Sequence, residues 1–252
     1  VNYKTGIMKR ALLAIFIFIS VFELSAQEQS TTTDTTTPTT TESHPTKEFL
    51  SSFTAIDVDA PIRLTLTKIG DDEAPYIIFD TKGVYTSKFM ADVDSKTSTL
   101  KISERHDPKR ESVTEVQIFF NTLTDITISR ANVKVEGTIT SKILDLHISH
   151  DANFVADIDV LDIMVFASGK SYIKLSGATH YQTADISTAE YNAEMLHSIA
   201  TIAQASHNAI VKVDATERLE AKTATGGKLY YYTQPVILRS EITLFGGEIA
   251  LK

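Results

Sequence analysis

The chain has 252 residues, no cysteine and a formal net charge of −8 at pH 7. This length fits one large domain or two small ones, and the lack of cysteine excludes disulfide bonds and a lipoprotein anchor attached through cysteine. The acidic balance disfavours nucleic acid and anionic membrane surfaces as main partners, because both would repel the protein.

Residues 1–26 have the pattern of a secretory signal peptide, and translation is expected to begin at Met8. Lys9 and Arg10 form a basic start, residues 11–22 form an apolar run, and small residues precede a cleavage site after Ala26. A twelve-residue helix is about 18 Å long, well short of a bilayer core of roughly 30 Å, which disfavours a membrane anchor. Because this segment carries three cations and one anion, its removal changes the net charge from −8 to −10.

Residues 27–47 are predicted to form a disordered, Thr-rich linker. They read QEQSTTTDTTTPTTTESHPTK, with almost no apolar side chain, and therefore cannot bury enough surface to fold. Such a segment can tether a folded body, either unmodified or with O-linked sugar on its hydroxyl residues.

The folded part is predicted to begin at Glu48. Apolar residues alternate with a period of two from Phe53 to Leu66, and further short strands follow, separated by charged turns such as residues 70–73. Residues 48–123 show this strand pattern without a clean repeat. We expect them to form an antiparallel or mixed β layer that covers the end of a stack of coils.

Residues 124–252 contain a repeat that predicts a parallel β-solenoid, or β-helix, with coils of about 19–20 residues. Each repeat has an anchor pair, in which a small or β-branched apolar residue precedes a hydroxyl residue and a polar turn. The position two before the anchor is apolar in every repeat except the last, where it is Lys222, as expected for an inward-facing column. The anchor pairs are Ile128-Ser129, Ile148-Ser149, Ala167-Ser168, Ile186-Ser187, Ala205-Ser206 and Ala224-Thr225.

Two further inward columns are predicted six and eight positions after each anchor. Asn192 and Glu194 interrupt these columns in the fourth repeat, which indicates that the turn before it is shifted by one position. The residues that would then face inward are Tyr191, Ala193 and Met195. The first repeat needs a similar shift, because Val133 and Val135 lie out of phase.

The repeats and the opening strands share a sequence rhythm with one known family. Residues 167–178 read ASGKSYIKLSGA and residues 224–235 read ATGGKLYYYTQP, while residues 53–66 open with alternating apolar positions. These stretches resemble the repeated SGAS-x-V-x-L, the closing Y-x-G-x-P and the first strands of the bacterial head GIN domain family of auto-transporter adhesins, although Gln234 stands where glycine is usual. The resemblance covers about residues 49–252. It implies an exported or surface-exposed right-handed β-helix with an adhesin label, and it brings no agreed catalytic or binding residues.

A β-helix can also be a polysaccharide lyase or hydrolase, which gathers carboxylates from neighbouring coils. Asp157 and Asp214 share a repeat phase, but three coils place them roughly 14 Å apart, too far for a shared metal ion. The aspartates from Asp151 to Asp162 are interpreted as part of a solvent-exposed strand face. The histidines fall at different phases and form no H-E-x-x-H motif, so no catalytic residue, metal site or cofactor is predicted.

Tyr230, Tyr231 and Tyr232 are the candidate ligand-binding residues. Strand alternation turns Tyr231 away from its two neighbours, so at least one ring faces outward, where an aromatic face can stack on a sugar. The structural alternative, which the column pattern favours, is that Tyr230 and Tyr232 plug the end of the core before Pro235.

The sequence therefore predicts one all-β domain over residues 48–252, acting as an exported, non-catalytic binding or adhesin-like protein of a Gram-negative-type cell envelope. One alternative is a carbohydrate-active β-helix enzyme. Another is a structural envelope protein that associates with its own copies through an uncovered solenoid end. The expected partner is a glycan or another envelope or host surface polymer, and the expected location is the periplasm, the outer surface or the extracellular medium.

Overall fold

The computed structural model describes residues 45–82, 88–105, 112–243 and 245–252. This part of the chain forms strands and turns without an α-helix, and thus no helix that could cross a membrane. The predicted signal peptide and most of the predicted linker lie outside the described residues. The last two linker residues, Thr46 and Lys47, already belong to the first strand.

The described residues form sixteen β-strands, most of which alternate buried apolar with exposed polar side chains, the pattern that favours a strand with one face on a core. They are β1 (Thr46–Phe49), β2 (Ala55–Asp59), β3 (Arg63–Lys68), β4 (Tyr76–Asp80), β5 (Phe89–Asp94), β6 (Thr99–Glu104), β7 (Glu115–Phe120), β8 (Asp125–Ser129), β9 (Asn132–Ser149), β10 (Asn153–Ala167), β11 (Tyr172–Ser187), β12 (Glu190–Ser206), β13 (Ile210–Ala224), β14 (Gly227–Tyr231), β15 (Ile237–Thr243) and β16 (Gly247–Leu251).

The strands form a β-solenoid of about seven turns, which confirms the predicted fold class. Strands β9 to β13 are long and bent, and each pairs in parallel with the strand of the next coil. Their first halves continue through β14 to β16, and we call this series stack one. Their second halves run from β8 to β15, and we call this series stack two. The apolar core lies between the stacks.

The N-terminal strands form a mixed layer, and the parallel stacking continues into them. Val58 of β2 pairs with Ile128 on one side and with Ile102 on the other, which extends the anchor column before residue 124. Beyond these parallel strands, stack one ends in β4 and β1 and stack two ends in β5, all paired antiparallel. This end of the solenoid is therefore covered, as expected for the exposed end of a stack.

Each coil turns on residues with positive φ directly after its anchor pair. The turns after the second, third and fifth anchors contain two such residues, for example His150 and Asp151. The turns after the first and fourth anchors contain one, Arg130 and Thr188. The number of left-handed residues therefore sets the length of the turn.

The shift predicted for the fourth repeat is confirmed, and its cause is the short turn at Thr188. Ala167 pairs with Ile186 before the turn, whereas Tyr172 pairs with Glu190 after it, so the offset between paired residues decreases by one. As a result, Tyr191 faces inward and is fully buried.

The shift expected in the first repeat is also present. Ser129 pairs with Ser149 before the turn, and Asn132 pairs with Asn153 after it, so here the offset increases by one. Val133 and Val135 both face inward as a result and are buried.

The prediction that Met195 faces inward is wrong. Lys174 pairs with Asn192 but Ser176 pairs with Met195, so β12 carries an extra residue at this point. This β-bulge reverses the alternation, returns Leu196 to the core and leaves the Met195 side chain exposed.

The coil after β12 is shorter than predicted. Ala205 pairs with Thr223 rather than with Ala224, because residues 194–196 of the bulge have no counterpart in β13 and one extra residue of β13 before Arg218 restores only one position. Ala221 therefore fills the inward column, and Lys222 faces outward. This register removes the exception that Lys222 made in the predicted column.

A chain of buried polar side chains crosses the core between β11, β12 and β13. The Gln182 Nε2 donates a hydrogen bond to Tyr191 Oη at 2.7 Å, and Thr201 Oγ1 donates to Gln182 Oε1 at 3.2 Å. Ser198 Oγ lies 2.6 Å from Thr201 Oγ1 and 2.7 Å from the carbonyl oxygen of Asp214, and its single proton can be donated to one of the two at a time. Burial raises the pKa of Tyr191, so its hydroxyl stays protonated.

Candidate functional site

The three candidate tyrosines lie on β14 and the following turn, with the opposite orientation to that of the column pattern. Val213 pairs with Tyr231 rather than with Tyr232, so Tyr231 faces inward and is only 8% exposed. Tyr230 and Tyr232 therefore face outward. The ring of Tyr231 is not available to a ligand, and Leu229 rather than Tyr230 fills the core.

Both outward tyrosines have partners within the chain. Tyr230 Oη donates to Glu248 Oε2 at 3.0 Å, and the Lys252 ammonium lies 4.5 Å from the centre of its ring. The bond to Glu248 and, second, partial burial raise the Tyr230 pKa. The pKa of Tyr232 is raised by burial and by a hydrogen bond to Glu194. The hydroxyls of both tyrosines are therefore already hydrogen-bonded to carboxylates.

The outward side of stack two carries a second set of exposed aromatic and apolar side chains. His147 of β9 and Phe166 of β10 pair directly across the strands, with ring centres 4.9 Å apart and ring planes within 8°. Tyr181 is 55% exposed and Ile202 is 54% exposed on the next two strands. We call this surface the outer face and define it by His147, Met164, Phe166, Tyr181 and Ile202.

Carboxylates lie beside the aromatic residues of the outer face. Asp185 pairs across the strands with Phe166, and both residues line a shallow groove with His147. Asp125 and Asp145 are direct cross-strand neighbours in the adjacent column. Burial, and then the charges of Asp125 and Asp162, raise the pKa of Asp145, and its Oδ1 is buried without a hydrogen-bond partner.

Sequence reasoning missed the outer face, although a signal for it exists. Its residues occupy the positions one, three and five before the anchor, which face outward in strands β9 to β12. Outward positions of a half-buried strand are normally polar. Phe166, Tyr181 and Ile202 at such positions mark the surface.

The two aspartates considered for catalysis do not share a column of the solenoid. Asp157 Oδ2 accepts a hydrogen bond from Thr138 at 2.7 Å, and its Oδ1 accepts one from Ser176 at 3.0 Å. The β12 bulge aligns Asp214 with His197 instead of with the Asp157 column. The prediction of a shared phase for Asp157 and Asp214 is therefore wrong, because the register changes between them.

Asp214 and His197 form the one close carboxylate and histidine pair that the described ranges show. His197 Nδ1 lies 2.7 Å from the buried Asp214 Oδ2, while the imidazole itself is exposed. The other Asp214 oxygen is buried without a hydrogen-bond partner. Among the described residues, no three His, Asp or Glu side chains come together in a way that could hold a metal ion.

One protein family matches most of the folded chain. A family model described as "Putative auto-transporter adhesin, head GIN domain" matches residues 52–235. The match covers nearly all of the mixed N-terminal layer, all the long strands and the tyrosines. No functionally curated protein matches the sequence.

Several crystal structures have the same fold. A "putative adhesin" from Bacteroides fragilis aligns with a TM-score of 0.76 at 18% identity, covering 84% of this chain and 97% of that chain. A "putative adhesin" from Parabacteroides distasonis aligns at 0.65 and 17% identity, covering 83% and 97%. A "putative lipid binding protein" from the same species aligns at 0.64 and 14% identity, also covering 83% and 97%. At these identities the likeness establishes the fold alone.

Proposed function

The chain belongs to the head GIN domain family of auto-transporter adhesins, and from that membership we propose that it is an exported, non-catalytic binding module of the bacterial envelope. Its ligand, in this proposal, is a surface carbohydrate polymer that lies across the outer face. The observation that carries the proposal is the group of exposed aromatic and apolar side chains on the outward side of four consecutive coils of stack two.

The chemistry of the outer face suits a sugar better than a purely apolar ligand. The Tyr181 ring, which is 55% exposed, offers an apolar face on which a sugar ring can stack, and the Phe166 ring offers the surface that His147 leaves uncovered. Asp185 and His147 lie next to Phe166 and can exchange hydrogen bonds with sugar hydroxyls. Because successive coils are about 4.8 Å apart, an extended polymer can contact several strands in turn.

The outward tyrosines are the second candidate contact. Their location fits a ligand at the C-terminal end of stack one, but Glu248, Lys252 and Glu194 already engage them. A ligand would have to replace these interactions, whereas Tyr181 and Ile202 on the outer face are more than half exposed. The proposal therefore places the main contact on the outer face.

Export and the absence of catalysis are parts of the same proposal. The predicted signal peptide and Thr-rich linker support export, with the linker holding the domain at a distance from its attachment. The adhesin name of the family supports a binding role. Protease shaving of intact cells distinguishes the cell surface from the periplasm, because it removes only a surface-exposed domain.

Binding of the full chain to a panel of envelope polysaccharides, host glycans and matrix proteins tests the proposal. Phospholipid vesicles belong in the panel because one protein of the same fold is described as lipid binding. The variant F166A/Y181A should weaken binding to the recognised polymer by roughly tenfold or more, since it removes both stacking rings. M90A, which removes an exposed apolar side chain on the distant strand β5, should leave binding unchanged.

Three results would contradict parts of this proposal. Silence across the panel would count against adhesion. Loss of binding in Y230A/Y232A but not in F166A/Y181A would move the site to the tyrosines. New reducing ends in the polysaccharide samples would identify the carbohydrate-active enzyme instead.

A further inference from the structure

The C-terminal end of the solenoid presents an open edge. Strand β15 pairs with β13 and strand β16 pairs with β14, and no strand in the described ranges pairs with their other edges. Backbone N–H and C=O groups on such an edge can bond to another strand. The edge therefore has the geometry of a strand-pairing surface.

Apolar side chains at this edge point over the end of the core but remain exposed. Leu219 in the preceding coil is fully buried, whereas its neighbour Leu238 on β15 is 37% exposed. Ile242, on the same side of β15, is 56% exposed, and Leu251 of β16 is also exposed. Burying this area would be favourable by about 25 cal/mol for each Å² of apolar surface.

The N-terminal end of the solenoid differs from the C-terminal edge in the charges of its terminal strands. There, the antiparallel strands β1 and β5 end the stacks, and they carry charges such as Lys47, Asp92 and Asp94. Charged edge strands discourage pairing with another chain. The charges of β15 differ in kind, because Arg239 and Glu241 have opposite signs and can pair with those of a second copy, whereas Asp92 and Asp94 would repel each other's copies.

The sequence of β15 is complementary to itself in the antiparallel direction. If Ser240 of one copy pairs with Ser240 of a second copy, Arg239 of each copy lies opposite Glu241 of the other. In the same register Leu238 lies opposite Ile242, on the side that faces the core. These contacts would extend ion pairs that already exist within each copy. Arg239 Nη1 lies 3.4 Å from Glu220 Oε1, and Glu241 Oε2 lies 3.5 Å from Lys222 Nζ.

We propose that two copies of this protein associate end to end through β15, with a two-fold axis at Ser240. The pairing is isologous, so the same edge serves both copies and the assembly closes as a dimer. It covers Leu238 and Ile242 and creates two identical Arg239 to Glu241 pairs. The dimer depends on the geometry of the edge and is independent of what the outer face binds.

Charge reversal at the two partners tests the dimer through analytical ultracentrifugation of the full chain over a range of concentrations. R239E alone and E241R alone should each weaken self-association by roughly tenfold or more, because both symmetry-related pairs become repulsive. An equimolar mixture of the two variants should form a heterodimer, because each facing pair of positions 239 and 241 then joins one carboxylate to one guanidinium. K174E, a reversal on the interior strand β11, serves as the matched control and should dimerise normally.

Each outcome either supports or overturns the dimer. A concentration-dependent dimer that the single variants lose and their mixture regains supports the proposal, and recovery in the mixture shows that both variants are folded. A chain that stays monomeric, assemblies larger than dimers, or a dimer that neither reversal affects would overturn it. The N-terminal residues outside the described ranges are identical in every variant, so they cannot account for a difference in self-association between variants.

Discussion

Two glycines with positive φ have very different surroundings, although both lie on long strands. A Cβ added to Gly177, at φ +108°, would lie 2.0 Å from the carbonyl oxygen of Ile158 on the neighbouring coil. A Cβ added to Gly137, at φ +83°, would have no atom within 4 Å. Gly177 therefore permits the close approach of two coils, whereas glycine at position 137 is favoured only because of its positive φ.

Replacement of Gly177 by alanine should destabilise the protein much more than the same change at Gly137. We expect G177A to lower the free energy of unfolding by about 3 kcal/mol or more, because the backbone of β10 or β11 must move. G137A should cost only about 1 kcal/mol for its left-handed conformation. Urea denaturation of both variants measures the difference, and equal losses would show that the contact with Ile158 is unimportant.

Asp145 gives a pH-dependent stability with a defined sign. Its pKa in the folded state is raised by burial and by Asp125 and Asp162, so the folded protein holds this proton more tightly than the unfolded chain does. The resulting stabilisation is fully present below the unfolded pKa of about 3.9 and is lost as pH rises through the folded pKa.

The variant D145N should therefore be more stable than the unmodified chain at pH 7, by ~0.5 kcal/mol for a half-buried group that solvent partly screens. The advantage should shrink as the pH falls towards 4, where Asp145 becomes protonated in both states. Thermal unfolding at several pH values measures it. An advantage that grows on acidification would have the wrong sign and would refute this interpretation of Asp145.

At the scale of the elements, the turns control which residues enter the core. The turn at Thr188 has one left-handed residue where most coils have two, and this single change reverses the inward positions of β12. A β-branched residue at φ 54° is strained, because left-handed conformations are costly for residues other than glycine.

Replacing Thr188 by glycine should change stability far less than the same replacement in a regular strand. We expect T188G to leave the free energy of unfolding within about 0.5 kcal/mol of its original value, since the relief of left-handed strain offsets the conformational entropy that glycine costs and the loss of the hydroxyl bonds to the Ser187 carbonyl and from the Gly169 amide. T183G, in the regular part of β11, is the matched control and should lose about 1 kcal/mol. Destabilisation of similar size in both variants would show that Thr188 is not strained.

The sequence predicted the elements better than their local register. Anchor residues such as Ile148 and Ala167 stand at recurring positions because every coil must place a small or branched apolar side chain there. The bulge at residues 194–196 left no comparable pattern, since Met195 and Leu196 are both apolar and either could face the core. The shorter coil that follows displaced Tyr231 inward, and alternation alone could not reveal the missing residue.

The candidate binding surface was even harder to predict from the sequence than the local register. Outward apolar residues such as Ile202 contribute to no column of the core, and their significance depends on which strands become neighbours. Cross-strand contacts such as His147 with Phe166 join residues one coil apart, and they follow only from a known register. The tyrosines attracted attention because they are adjacent in sequence, which in a strand places them on alternating faces.

At the scale of the whole molecule, each coil contacts mainly its two neighbours, so stability should vary along the stack. The N-terminal end finishes in the antiparallel strands β1 and β5, whereas the parallel strands β15 and β16 finish the C-terminal end without such a layer in the described ranges. We expect amide hydrogens of β15 and β16 to exchange first and those of β10 to β12 to exchange last. Hydrogen exchange at low protein concentration, where a dimer would dissociate, measures this gradient, and uniform protection from end to end would contradict it.

The buried polar side chains from Tyr191 through Gln182 and Thr201 to Ser198 distinguish the cores of three coils from the cores of the other coils. Coils with interchangeable apolar cores could exchange places or be duplicated during evolution without leaving a polar group unpaired. Strands β11, β12 and β13 could not, because a coil inserted between them would leave an amide or a hydroxyl unpaired in the core, at a cost of about 1–3 kcal/mol for each group. The solenoid can thus lengthen by duplication on the N-terminal side of β11, while the segment with the polar chain is inherited as a unit.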